Sequence, residues 1–141
     1  MQDRLKFRVY SKFHGHYLRD VVCFGFDKEK ENIIIGLSDG QYWYFKEADI
    51  VVEFCTGLKD KLGTLIYEGD IVRYWKLWKW NPQGFIKIVV WCEKSASFRY
   101  IDLDKLGADK QKMHTVREPE IIGNIYKNPE LLEENLKDLE V

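Results

Sequence analysis

The chain has 141 residues, room for one domain or one domain with a small appendage. Hydrophobic residues make up 45% and charged residues 32%, which excludes a disordered chain and allows a core that needs no disulfide or metal staple. The net charge of −1 excludes a strongly basic nucleic-acid binder, while 15% aromatics is high and points to strands, cores and interfaces.

From the amino end, Arg4-Leu5-Lys6-Phe7-Arg8-Val9-Tyr10 alternates polar and apolar residues, the period of a half-buried strand. His14-Gly15-His16-Tyr17-Leu18 reads as a turn into a second strand, and Asp27 to Asn32 as a polar loop. Ile33-Ile34-Ile35 and Gln41-Tyr42-Trp43-Tyr44-Phe45 flank Ser38-Asp39-Gly40, so they form a hairpin candidate. Ile50 to Phe54 is apolar except for Glu53, and Thr56 to Gly63 reads as a loop closed by a glycine.

Thr64 to Tyr67 and Ile71 to Trp75 are strands joined by the tight turn Glu68-Gly69-Asp70. Asn81-Pro82-Gln83-Gly84 is the next break. Phe85 to Cys92 is apolar on both faces apart from Lys87, a strand covered on both sides or facing a partner. Phe98 to Leu103 alternates, residues 104–118 read as a surface loop, and Ile121 to Tyr126 is a last strand. Asn128-Pro129-Glu130 has the residue types of a helix start, and Leu132, Leu136 and Leu139 then share one helical face. Residues 130–141 hold five acids and one base, so a net charge of −4 sits on this tail and +3 on the body. Closely spaced short strands with glycine-bearing turns argue for antiparallel β structure of a barrel-like kind.

Cys23, Cys55 and Cys92 are isolated, with no CxxC pair. An odd count, behind a start that has no apolar leader, implies free thiols in a reducing compartment, the cytoplasm. The longest apolar runs fall far short of the ~20 residues of a membrane span, so no membrane association is expected.

Three blocks carry a family resemblance. Thr56-Gly57-Leu58-Lys59-Asp60-Lys61 leads into Tyr67-Glu68-Gly69-Asp70-Ile71-Val72. Near the carboxyl end stands Ile122-Gly123-Asn124-Ile125-Tyr126-Lys127-Asn128-Pro129-Glu130-Leu131-Leu132, and near the start Lys6-Phe7-Arg8-Val9-Tyr10. These resemble the YopX family of phage and prophage proteins, with its TGLKDKNGKEIYEGDIV-like and IGNIYENPELL-like blocks and an opening IKFRAWD-like strand. The departures are Leu62, where the family usually has Asn, and Thr64-Leu65 in place of a more polar pair. The resemblance implies a small barrel of the Src-homology-3 type with Gly69 at a barrel turn, in a mobile-element setting inside a bacterium. It implies no mechanism.

Arg73-Tyr74-Trp75-Lys76-Leu77-Trp78-Lys79-Trp80 is the densest constellation, and no acid occurs from Ile71 through Trp91. Its tryptophans fill the core, form a protein interface, or stack bases while the cations meet phosphates. The candidate binding surface is therefore Arg73, Trp75, Lys76, Trp78, Lys79 and Trp80, with Arg4, Lys6 and Arg8 added under the nucleic-acid reading. His14, His16 and Cys23 would be a weak zinc set, since no second spaced pair exists. Cys55 ends an apolar strand and suits a small buried hydrophobe better than a nucleophile. Glu68 and Asp70 could hold a divalent cation, but an aspartate in a turn more often binds its own loop backbone. No GxSxG, P-loop or GxGxxG occurs, so no catalytic residues, metal or cofactor are expected.

The expectation is a mainly β protein: an amino-terminal β segment (1–55) packed on a small antiparallel Src-homology-3-like barrel (56–128), then a short amphipathic helix (129–141). The expected function is non-enzymatic binding to a host or phage protein, with self-association as one form of it. Nucleic-acid binding by the aromatic-basic surface is the alternative.

Overall fold

The computed structural model describes residues 5–29, 31–76, 80–82, 84–102 and 111–132. The protein is mainly β, and every strand pairing among those residues is antiparallel. Two compact units divide between Phe54 and Cys55, one spanning Lys6–Phe54 and the other Met1–Leu5 with Cys55–Val141. The division falls inside a single strand, β6 (Ile50–Lys59).

In the first unit, β1 (Phe7–Ser11) pairs with β2 (His16–Tyr17) and with the first half of β6. A second sheet is the meander β3 (Val21–Asp27), β4 (Asn32–Leu37) and β5 (Tyr42–Lys46). The core is Val9, Ile35 and Ile50, with Phe7, Leu18, Val21, Ile33, Leu37, Phe45 and Val52 around it. β3 has no counterpart in the sequence pattern for a physical reason. Val21 to Phe26 is apolar or glycine throughout and so shows no alternation, although Val22, Cys23, Phe24 and Phe26 are exposed; a register shift falls between Val21 and Cys23. Glu53 is buried in this unit and accepts from Arg8 Nε at 3.1 Å and from the Tyr17 hydroxyl at 2.5 Å.

In the second unit the rest of β6 pairs with β7 (Leu65–Tyr67). A five-stranded sheet runs β11 (Gln111–Lys112), β10 (Ser97–Asp102), β9 (Phe85–Cys92), β8 (Asp70–Tyr74) and β12 (Glu120–Asn124). Its core is Ile66, Val72, Tyr74, Val89, Tyr100, Met113 and Val116. Lys87 also points to this side and is only 3% exposed, its charge held 2.5 Å from Asp102 and its ammonium over the Tyr74 ring.

Two expected loops are partly ordered as strand. Thr56 to Lys59 continues β6, because Gly57 at φ +82° lets extra residues bulge between the Cys55–Tyr67 and Lys59–Leu65 pairs. Within 104–118, Gln111 and Lys112 pair with β10, and a 3-10 turn (Met113–Thr115) drops Met113 into the core. The helical start at 130–132 lies as expected, whereas Leu136 and Leu139 lie outside the described residues. The Asn128 side chain reaches back from the helix start to the end of β12. Its Oδ1 accepts the Asn124 amide at 3.1 Å, and Leu131 fills the space that a Cβ on Gly123 would need.

Buried carboxylates tie the turns together. Asp70 is 2% exposed; its Oδ2 accepts the Tyr67 amide at 2.8 Å, closing the turn through Gly69, whose φ of +85° suits glycine. Its Oδ1 faces the Asn124 amide group at 3.5 Å, which links the turn to β12. Asp60 Oδ1 accepts from Leu62 and Thr64, and its Oδ2 accepts the Ile121 amide at 3.2 Å. We expect Asp70→Ala to lower unfolding free energy by about 2–4 kcal/mol, since buried donors lose their acceptor, measured by urea denaturation. Burial, with a smaller contribution from the Asp70 charge, pushes the Tyr100 hydroxyl above its usual pKa of 10.0. The unfolded chain thus ionises first, so stability present below about pH 10 falls as the pH rises past it. Tyr100→Phe should flatten that alkaline decline in a pH series of denaturation curves.

Candidate interaction surface

The aromatic-basic segment begins on β8 and leaves the sheet at its end. Arg73 stands opposite Ile86 of β9 and Glu120 of β12, so these three side chains share one face of the sheet. Trp75 lies two residues on. The Arg73 Nε is buried and has no hydrogen-bond partner among the described residues. Gly84 makes the packing possible: a Cβ there would stand 2.9 Å from Arg73 Cγ and 3.1 Å from Trp75 Cε2.

Two residues that sequence patterning leaves out complete the surface. Lys61 Nζ sits 5.6 Å from the Trp75 ring centroid and 3.0 Å from Glu120 Oε2. The Asp60 turn positions it, and the Lys61 amide donates to Pro119 O at 2.9 Å. The three residues come from separate segments, and the β8–β12 pairing, the Asp60–Ile121 bond and the Lys61–Pro119 bond assemble them. Trp75 is 49% exposed and Trp80 is 86% exposed. Neither is therefore a core side chain, which leaves the two surface readings for these rings.

Two of the cations, Lys61 and Lys76, are already engaged. Lys76 Nζ lies 4.6 Å from the Phe85 ring centroid and 5.9 Å from that of Tyr74. Lys61 covers part of Trp75, and Glu120 places a carboxylate where the local sequence has none. The result is an aromatic surface with both signs of charge. Trp78 and Lys79 lie outside the described residues. Of the amino-terminal cations, Arg4 lies outside them too, Lys6 is exposed, and Arg8 is paired with Glu53 and stacked 4.8 Å from the Tyr17 ring centroid.

Of the remaining candidates, Cys23 is exposed, while the two histidines, Cys55 and Asp70 have structural partners. Ser11 Oγ lies 2.8 Å from His14 Nδ1, and His16 Nδ1 lies 3.0 Å from Tyr17 O. Among the described residues no group of three His, Cys, Asp or Glu converges on one point. Cys55 is buried and its Sγ accepts the Gly57 amide at 3.4 Å. Asp70 spends its oxygens on Tyr67 and Asn124, as the turn reading expects. A second apolar surface carried no motif in the sequence: Val22 on β3 and Tyr42 and Tyr44 on β5 are exposed. The i, i+2 spacing of the tyrosines was its one sequence signal.

The blocks joined by Asp60, Asp70 and Asn124 also define the chain's relatives. Residues 6–133 match the YopX family, described as YopX protein. The crystal structure of protein EF1440 from Enterococcus faecalis is similar, with 27% sequence identity and a TM-score of 0.59. The likeness covers 90% of this chain and 96% of that one. No curated protein matches the chain. With 6–133 matched, and with the family blocks serving as the hydrogen-bonded joints of the fold, this chain belongs to the YopX family.

Proposed function

We propose that this chain is a non-enzymatic binding protein of a bacterial phage or prophage, acting in the cytoplasm through contact with a host or phage protein. The observation that carries this reading is the pair of exposed tryptophans, Trp75 and Trp80, with Trp75 set beside the compensated Lys61–Glu120 pair and Arg73. Tryptophan and arginine are the residue types on which interface energy concentrates. A phosphate backbone would instead favour uncompensated cations, and here Lys61 has a carboxylate partner while Lys76 rests on Phe85. The setting rests on the family. The short antiparallel strands of the second unit support reading it as a barrel of the Src-homology-3 type, a fold-level analogy that adds no chemistry. Among the described residues no helix is long and apolar enough to cross a membrane.

Two measurements test the reading. Titration with single- and double-stranded DNA and RNA at low and high salt should leave the intrinsic tryptophan fluorescence unchanged; salt-sensitive quenching would replace the protein partner by nucleic acid. A photo-crosslinking residue at position 80, used in bacterial cells, should give one discrete protein adduct. Trp75→Ala should weaken that association by about 2 kcal/mol or more if the ring is a hot spot. Trp80→Ala should change unfolding free energy by no more than about 0.5 kcal/mol. Larger losses would make these rings structural.

A further inference from the structure

A second site lies in the carboxyl-terminal unit, away from the tryptophan segment in sequence. It is an open cleft of about 510 Å³, in the size range of small-ligand pockets. Leu58, Phe98 and Met113 give it apolar walls, and Arg99, Lys112 and His114 give it basic groups; among the described residues no acid lines it. Arg99 and Lys112 are direct cross-strand partners on β10 and β11. Like charges in that position destabilise a sheet, and an anion between them would offset the cost. Among the described residues neither makes an ion pair.

The Arg99 guanidinium and the backbone that carries Lys112 and His114 are held by hydrogen bonds. Arg99 Nε donates to Ser97 Oγ at 3.1 Å and faces Ser95 Oγ at 3.3 Å, which orients the guanidinium. Gln111 Nε2 donates to Thr115 Oγ1 at 2.7 Å, and Thr115 Oγ1 donates to Lys112 O at 2.7 Å. With Met113 buried in the core, that loop fixes the backbone of Lys112 and His114 on either side of it. A guanidinium anchored through Nε keeps its two terminal nitrogens for a forked contact, the geometry that suits phosphate oxygens.

We propose that this cleft binds a small phosphate ester with an apolar or aromatic body, of the size and chemistry of a nucleoside monophosphate. The phosphate lies between Arg99 and Lys112, with His114 beside it, and the body rests on Leu58, Phe98 and Met113. The site is independent of the tryptophan surface, so failure of either reading leaves the other standing.

The test is calorimetric titration of the full chain with AMP, adenosine and inorganic phosphate at low salt. AMP should bind below about 1 mM, and adenosine and inorganic phosphate each about tenfold or more weaker. Arg99→Gln and Lys112→Ala should each weaken AMP by about tenfold. Lys112→Glu replaces the like-charged pair by an opposite one, so it should raise the melting temperature without ligand and abolish AMP binding. Lys112 is exposed, so its variants keep the fold if Arg99→Gln does not. Equal binding of AMP and adenosine, AMP affinity unchanged by the Lys112 variants, or no binding of AMP at about 1 mM would each overturn the proposal.

Discussion

Buried carboxylates that bind backbone amides hold the second unit in register. Asp70 and Asp60 each take a tight turn and connect it to a strand distant in sequence, Asp70 through Asn124 and Asp60 through the Ile121 amide. The burial of a carboxylate is costly unless its oxygens are satisfied, so each of these residues specifies its surroundings as well as stabilising them. Gly69 adds a further bond in each direction: its amide donates to Val89 O, and its carbonyl accepts from the Ile125 amide. The turn is thereby bonded on both sides, to β9 and to the segment after β12.

That joint also explains the surface. Pairing of β12 with β8 brings Glu120 beside Arg73, and the Asp60 turn brings Lys61 over Trp75. The hydrogen bonds that make the fold are thus the ones that assemble a mixed-charge aromatic surface from three segments. The cleft walled by Arg99 and Lys112 depends on a different pairing, β10 with β11, and on Met113 as the anchor of the loop behind it. Both surfaces combine side chains on the sheet with others on the turns bonded to it, so strand register and turn bonding set their geometry.

Much of the strand pattern was legible because alternation and glycine turns are local signals. The β4–β5 hairpin, the Glu68-Gly69-Asp70 turn, β9 and β12 follow from neighbouring residues alone. β3 was not legible, since Val21 to Phe26 is apolar or glycine throughout and shows no alternation, and the second half of β6 was hidden in a stretch, Thr56 to Gly63, that reads as a loop, whereas Gly57 makes a bulge within the strand. β11 and the 3-10 turn after it sit in a polar stretch, where two apolar residues, Met113 and Val116, carry the whole packing signal. Trp75, Arg73 and Trp80 could be named as a candidate surface from composition, but their exposure could not.

The sequence by itself determined a mainly β chain, its family, and the roles of Gly69 and Asp70, because backbone conformation and turn chemistry act over a few residues. Only the tertiary structure decided which charges are spent and which are left. Arg8 is engaged by Glu53, Lys61 by Glu120 and Lys87 by Asp102, while Arg99 and Lys112 face each other with no acid between them among the described residues. Those partners lie between 13 and 59 residues apart in the chain. Charge pairing depends on distance in space, and strand register sets that distance.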